Sequence, residues 1–540
     1  MLEAGLALVN GRIATLDGRD SIVSNLAVFE GRILDLGERS RIDHLVGPGT
    51  RVIDLGGRTV VPGIVDSHCH PDSYAIRLVK WRELSPQLVP SKEALLSAIA
   101  AGSQALPPER WFVGYRYNER ESGGYPSLAE LDAASRGRPL FILRTDGHLG
   151  LANSAAFAAC GIEPDTPDPP FGRFDRLAGT NRFTGLVRET AAHLFLERIH
   201  AGDTEDDIAH GMERVFDEAL GLGITSMYNS LASSRAIRAY QMMRRQGRLR
   251  LRMGIIASAR EEGLIESLIA SGIQSGFGDD ELRLIGVEWC PDCSTSGRTA
   301  AYYEPYLGPA VPGEPMDNRG MLLYEAADLK RRATAAHKAG LLVCIEGVGD
   351  RGIDFALDAI EAALAAHPVA DHRMRVEHCC YVTPPILARL KRLGVVASSA
   401  TGFMHDLGDA YRANRGEAAM RSMWPHRSLI DAGIPAPGHS DAAVCQASPW
   451  LAMWSMVNRR SASGCSLDAA EAVTPLEALR AYTVLGAYSG REEASKGSLE
   501  PGKLADMVVL DRDLLTIEPD EIRAIKPLMT FVGGSLRYEA

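Results

Sequence analysis

Between Val60 and Gly438 the chain alternates short apolar runs with longer stretches of helical periodicity. That order is the pattern of consecutive βαβ units and a parallel sheet. The runs are Val60–Val65, Ile224–Asn229, Arg250–Ile256, Leu282–Glu288, Leu341–Glu346, Met374–His378, Val395–Ser399 and Gly433–Gly438. Eight parallel strands are the number that closes a (β/α)8 barrel. Helical stretches lie between them, among them 203–221, 326–340 and 350–366. Thr474-Pro475-Leu476-Glu477 has capping-box spacing with Pro at the first helical position. The span from about Tyr74 to Ala219 is too long for one crossover. It predicts an insertion at about 74–219 with its own strands and helices, including WFVGYRY and PLFILRT.

Both ends of the chain read differently. The first sixty residues are β-rich runs broken by turn signals at Asn10-Gly11, Gly31 and Gly56-Gly57, and the last forty repeat the style in KLADMVVLD, LMTFVGG and SLRYEA. Matched ends predict one discontinuous β-sandwich from residues 1–62 and 490–540 around a barrel at 63–489; two separate terminal caps are the alternative. The chain is 46% hydrophobic and 24% charged, enough to bury a large core. No uncharged apolar run approaches the roughly 18 residues of a membrane span. The opening MLEAGLALVNGRIATLDG lacks a secretory pattern, so a cytoplasmic protein is expected. Fifty-eight basic against 69 acidic side chains leave a net charge of −11, which argues against nucleic acid or an anionic membrane as partner. Nine cysteines, an odd number scattered through the chain, do not suggest a disulfide framework.

The strongest chemical signal is VDSHCHPD, directly after the first run. His68 and His70 are two residues apart, so on an extended strand end they project to one side and can grip one metal. His378 in RVEHCC, with His439 and Asp441 in GHSDAAV, lie at or just past the C-terminal ends of later runs, the face where barrel enzymes build active sites. Taken singly, each could be a hydrogen-bonded loop residue; together with the HxH pair they form a convergent constellation. Cys69, Cys290, Cys293, Cys344, Cys379 and Cys380 crowd the same region. A single CxxC is weak evidence for a zinc or redox site, and small apolar packing is the expectation for these thiols. There is no phosphate-cradling glycine loop, hence no nucleotide cofactor is expected.

Several spaced motifs, VVPGIVDSHCHPD, DGHLGLANSAAF, GRTAAYYEPY, VGDRGIDFALDAIEAA, RVEHC, HSDAAV and SLEPGKLADMVVLD, resemble the amidohydrolase superfamily over nearly the whole chain, in particular its N-substituted formamide deformylase-like branch. The resemblance implies an α/β fold, a distorted (β/α)8 TIM barrel of amidohydrolase type with a small β-sandwich built from both termini. It implies metal ligands at His68, His70, His378 and Asp441. It also places His148 and His405 in the substrate pocket, with His439 beside it, and has Asp292 and Asp350 orienting the ligands.

Two positions depart from that pattern. Where the branch carries a strand-four Lys, this chain has Glu288 in VEWCPDCS; where it carries a strand-five His, this chain has Glu346 in CIEGVGDRG. If all six residues bind, three imidazoles face three carboxylates. Such a set favours iron over zinc and makes a divalent metal a poorer Lewis acid. The chain thereby resembles an unusual branch of the superfamily that uses a TIM-barrel non-heme diiron centre as a monooxygenase; its known example hydroxylates a diterpenoid intermediate of platensimycin and platencin biosynthesis. The expectation is therefore a secondary-metabolism monooxygenase with two iron ions, zinc or manganese being the alternative, and with Asp441 and Glu346 as catalytic residues. It would use O2 and an external electron donor on a small-molecule substrate, an acyl-coenzyme A thioester being one candidate, with a homodimer as a candidate assembly. The runner-up is a metal-dependent hydrolase of an amide, formamide or thioester; a catalytically silent binding protein is the third class.

Overall fold

The computed structural model describes residues 3–107, 110–308 and 314–540. Seven strands pair in parallel and in chain order: Ile64–Cys69, Ile224–Ala232, Arg252–Ser258, Leu282–Trp289, Val343–Gly347, Arg375–His378 and Val396–Ser399. The expected eighth run is not a regular strand. Pro435 and Pro437 have no amide to donate, so at these positions the segment can only accept. It does so from Ala397 N–H at 2.9 Å and Ser399 N–H at 2.8 Å. On its other side Ser67 Oγ donates to Gly438 O at 3.0 Å and Asp441 N–H donates to His68 O at 3.1 Å. The segment thus bridges the last strand to the first and closes the barrel.

The first expected run also divides. Thr59–Pro62 belongs to a terminal sheet, and the barrel strand begins only at Ile64. The chain changes sheets at Gly63, where a Cβ would stand 2.1 Å from Thr225 Oγ1. Only glycine allows the strands to approach that closely.

Strands from both termini share one sheet, because Met507–Leu510 pairs antiparallel with Thr59–Pro62. The full order is Ser535–Glu539, Pro527–Val532, Met507–Leu510, Thr59–Pro62, Arg12–Ala14 and Ile22–Val23. A four-stranded sheet, Arg32–Gly37, Asn25–Phe29, Leu6–Val9 and Arg51–Asp54, packs against it. Leu8, Leu26, Val60, Met507, Val509 and Phe531 fill one core between them.

The long span after the first barrel strand carries its own sheet, with Leu140–Arg144, Leu149–Ala152 and Phe183–Glu189 at its centre and helices Lys92–Ala105 and Leu128–Ser135 among its flanks. It leans on loops at the C-terminal end of the barrel strands: Arg144 reaches Ser296 Oγ at 3.2 Å, Arg188 reaches Gly297 O at 3.3 Å and Thr145 reaches Val444 O at 3.4 Å. Helix Glu205–Gly221, opened by a Thr204–Asp207 capping box, packs beside helix Pro71–Lys80 and returns the chain to the barrel. Val65, Tyr228, Ile256, Ile285, Leu342 and Cys344 plug the barrel interior. The polar centre therefore lies above a packed layer rather than in a pore.

Candidate metal centre

His68, His70, Glu288, Glu346, His378, His439 and Asp441 all sit at or just beyond the C-terminal ends of barrel strands. Their local backbone explains the convergence. Side chains alternate along a strand, yet neighbouring Glu377 and His378 both belong to the centre. His378 has φ of 64° and Cys379 of 40°, left-handed values that break the alternation where the strand ends. Asp441 likewise has φ of 55°. Strain of this kind in non-glycine residues persists where surrounding structure enforces it, and it clusters at functional sites. Asp66 provides such enforcement by accepting from Ser440 N–H at 3.0 Å and from the Ser440 hydroxyl.

Two groups of ligand atoms share His68: His68 with His70 and Asp441, and His68 with Glu346 and His378. A third joins His68 to Glu377 and His439. His70 Nδ1 pairs with Ser230 O at 2.9 Å, which fixes the proton there and leaves Nε2 a lone pair. That Nε2 stands 3.0 Å from Asp441 Oδ1. His68 repeats the arrangement, with Nδ1 2.9 Å from Glu377 Oε2 and Nε2 3.5 Å from Asp441 Oδ1. Two acceptors this close require positive charge between them, either extra protons on the rings or a cation. Glu288 Oε1 is 3.7 Å from His68, and Glu346 Oε2 is 3.7 Å from His378 Nε2. His68 Nε2, Glu288 Oε1, His378 Nδ1, both nitrogens of His439 and Asp441 Oδ1 are buried without a hydrogen-bond partner among the described residues. So many orphaned donor atoms converging on one space fit a metal ion, since buried polar atoms are otherwise satisfied.

The electrostatics agree. Burial disfavours the imidazolium of His68, but Glu288, Asp441 and Glu377 outweigh it and raise its pKa well above the ordinary value. Burial lifts Glu288 to about 7, with His68 opposing and Glu346 and Glu377 adding to the rise. Burial works against ionised Glu346 too, yet His378 and Arg260 hold it at about 2. His439 is pushed well below its ordinary pKa by burial and by His68 and His378. Without a cation the cluster retains protons to balance its carboxylates; a metal would displace them.

Four contributors were not read from the sequence, Glu377, Arg375, Arg260 and Glu189, and two cysteines play parts other than the expected packing. Glu377 orients His68 and is itself gripped by buried Arg375, Nε to Oε1 2.6 Å. Cys290, expected to be apolar packing, donates Sγ–H to Glu346 Oε2 at 2.7 Å, and Arg260 Nη2 stands 2.9 Å from the same sulfur. Glu189 pairs with His148 at 2.8 Å and, with Cys293, forms a separate group of potential ligands on the insertion side. Glu377 and Arg375 had a local signal, their place beside His378 in RVEHC; Arg260 and Glu189 come from distant segments.

The residues expected to orient the ligands or line the pocket divide. Asp292 is buried and accepts amides of Ala301 at 2.7 Å, Val348 at 2.6 Å and Gly349 at 2.8 Å, so it anchors the turn following Glu346. Asp350 differs from expectation: it starts helix Asp350–Ala366 and accepts from Tyr303 N–H at 3.0 Å. His405 pairs with Asp406 at 2.6 Å and lies edge-on to Trp454. Phe403 from the same helix, Thr401–Asp406, lies against His378.

Comparison with known proteins agrees with this geometry. N-substituted formamide deformylase of Arthrobacter pascens is 28% identical, over 99% of this chain and 98% of its own. An uncharacterized metal-dependent hydrolase of Pyrococcus horikoshii OT3 superposes with a TM-score of 0.76 at 26% identity, over 95% of this chain and 99% of its own. A second, from Pyrococcus furiosus, gives 0.73 at 28% identity, over 95% and 100%. The family model described as "Amidohydrolase family" matches residues 51–538, so the chain belongs to the amidohydrolase family.

Proposed function

We propose that the chain is a metal-dependent hydrolase that cleaves an amide, formamide or thioester bond. The observation that carries this reading is Asp441, a buried carboxylate whose Oδ1 lies 3.0 Å from His70 and 3.5 Å from His68 at the mouth of the barrel. When bound, a divalent cation supplies Lewis acidity that polarises a carbonyl and acidifies water. His68, His70 and Asp441 would hold one cation; Glu346 and His378 would hold a second, with Glu288 reaching in beside them. His378, His68 and His70 outweigh burial and keep Asp441 ionised. It can therefore accept a proton from attacking water and pass it to the departing nitrogen or sulfur. Glu377 holds His68 in the tautomer that aims Nε2 inward. Family membership and the deformylase relative support hydrolysis over the oxygenation expected first from the sequence.

One observation favours a second reading. Glu288 and Glu346 are 0% and 3% exposed and stand 3.7 Å from His68 and His378 respectively. A carboxylate-rich set suits iron, as in a diiron centre that hydroxylates a C–H bond of an acyl-coenzyme A or terpenoid-like substrate with O2 and an external donor. The test is turnover of N-substituted formamides, amides and thioesters by zinc-loaded protein under strict anaerobiosis. Hydrolysis there is the expected result. An absolute need for O2, reductant and iron would reverse the order of the two readings.

A further inference from the structure

We infer that His439 is itself a metal ligand, making the centre one of four imidazoles. The inference rests on the metal-dependent reading above and extends it to a residue otherwise placed beside the substrate. His439 is 0% exposed, and neither Nδ1 nor Nε2 has a hydrogen-bond partner among the described residues. A buried imidazole with both nitrogens unsatisfied is costly unless something else coordinates them. Its position is enforced from both sides. His439 O accepts from Gly402 N–H at 3.1 Å and from Thr401 Oγ1 at 3.4 Å, while the next residue, Ser440, is clamped by Asp66. With the backbone held, the ring remains inside the barrel.

The ring separations match shared coordination. A metal–nitrogen bond of about 2.1 Å puts an imidazole centroid about 3.2 Å from the cation, so two rings on one cation stand about 4.5 Å apart at a right angle and about 5.2 Å apart at the tetrahedral angle. The centroids of His68 and His378 are 4.7 Å apart, those of His68 and His439 4.7 Å, and those of His378 and His439 5.3 Å. Glu377 is within ligand reach of the His68–His439 pair but is already engaged by Arg375. His439 is therefore the ring free to complete the coordination of a cation held by His68, and a first-row divalent ion suits such an imidazole-rich, carboxylate-flanked set.

The test is metal uptake rather than turnover. Full-length protein stripped with chelator is titrated with Co2+, whose visible absorption reports ligand number and symmetry. Wild type is expected to bind two equivalents. His439→Asn should bind one as before, lose at least about 10-fold in affinity for the other, and change the visible band. His439→Gly should regain the wild-type band on adding free imidazole, which separates loss of a ligand from damage to the fold and serves if the Asn variant does not fold. If His439→Asn binds two equivalents with wild-type affinity and spectrum, or if imidazole leaves the His439→Gly spectrum unchanged, His439 is not a ligand. Absence of Co2+ uptake by wild type would overturn the metal centre itself, a failure distinguishable from an indifferent His439.

Discussion

Glu377 Oε2 lies 2.9 Å from His68 Nδ1, and both side chains are fully buried. This pair sets the tautomer of His68 and turns Nε2 toward Asp441. Arg375 completes the relay, reaching Glu377 at 2.6 Å and Ser67 O at 2.8 Å. The barrel wall thus dictates the direction of a residue at its mouth.

Glu377→Gln should weaken metal binding about 10- to 100-fold, because the ring loses the anion that orients it and strengthens its basicity. Metal content of purified variant, measured by mass spectrometry, checks this. Unchanged content and affinity would show that His68 needs no such partner.

The two carboxylates that depart from the branch pattern are separable. Glu346→Ala should lower occupancy of the cation beside His378 and free the Cys290 thiol, while Glu346→His should shift metal preference toward zinc. Glu288→Gln keeps the size but removes the charge, and loss of one metal per chain is expected. Two metals per chain and unchanged turnover in both Glu288→Gln and Glu346→Ala would exclude both residues from the centre.

The His148–Glu189 pair predicts a pH signature in stability. Burial disfavours charged His148, but Glu189 prevails and raises it from 6.5 to about 9. Glu189 is lowered from 4.5, with burial opposing and His148 prevailing. The histidine's contribution is complete below pH 6.5 and lost as pH rises through about 9; the glutamate's is complete above pH 4.5 and lost on acidification below it. The difference in Tm between wild type and His148→Phe should therefore be largest between these two values and shrink toward pH 9. A constant difference from pH 5 to pH 9 would contradict the pairing.

Asp292→Asn should destabilise the turn after Glu346. The amide side chain keeps one acceptor oxygen where the carboxylate serves the N–H groups of Ala301, Val348 and Gly349, so about 1–3 kcal/mol is expected for each amide left unpaired. Denaturant unfolding measures the loss, and metal titration should show Glu346 less well placed. Equal stability would mean that the turn is held by other contacts.

Local pattern alone determined much of this molecule. Period and spacing marked the barrel strands, since apolar runs between amphipathic helices have few other ways to be buried, and HxH at a strand end marked the first two metal-binding candidates. His378 was legible because it ends an apolar run and Asp441 because it lies just past one, whereas Glu288 and Glu346 stood out only against the pattern of the branch that the chain resembles. The tertiary structure decided what depends on closure. Pro435 and Pro437 read as a strand end by hydrophobicity, yet their missing amides leave an irregular segment that meets Val396–Ser399 by accepting and meets the first strand through Ser67 and His68. Glu377 was hidden because alternation would turn it away from His378, and only the left-handed backbone at His378 and Cys379 places both in the centre. Arg260 and Cys290 meet across neighbouring strand ends, while Glu189 approaches His148 within the folded insertion; none of these pairings leaves a periodic trace. Periodicity records which face of an element is buried, whereas which buried polar groups meet is settled by the closing of the barrel and the docking of the insertion upon it.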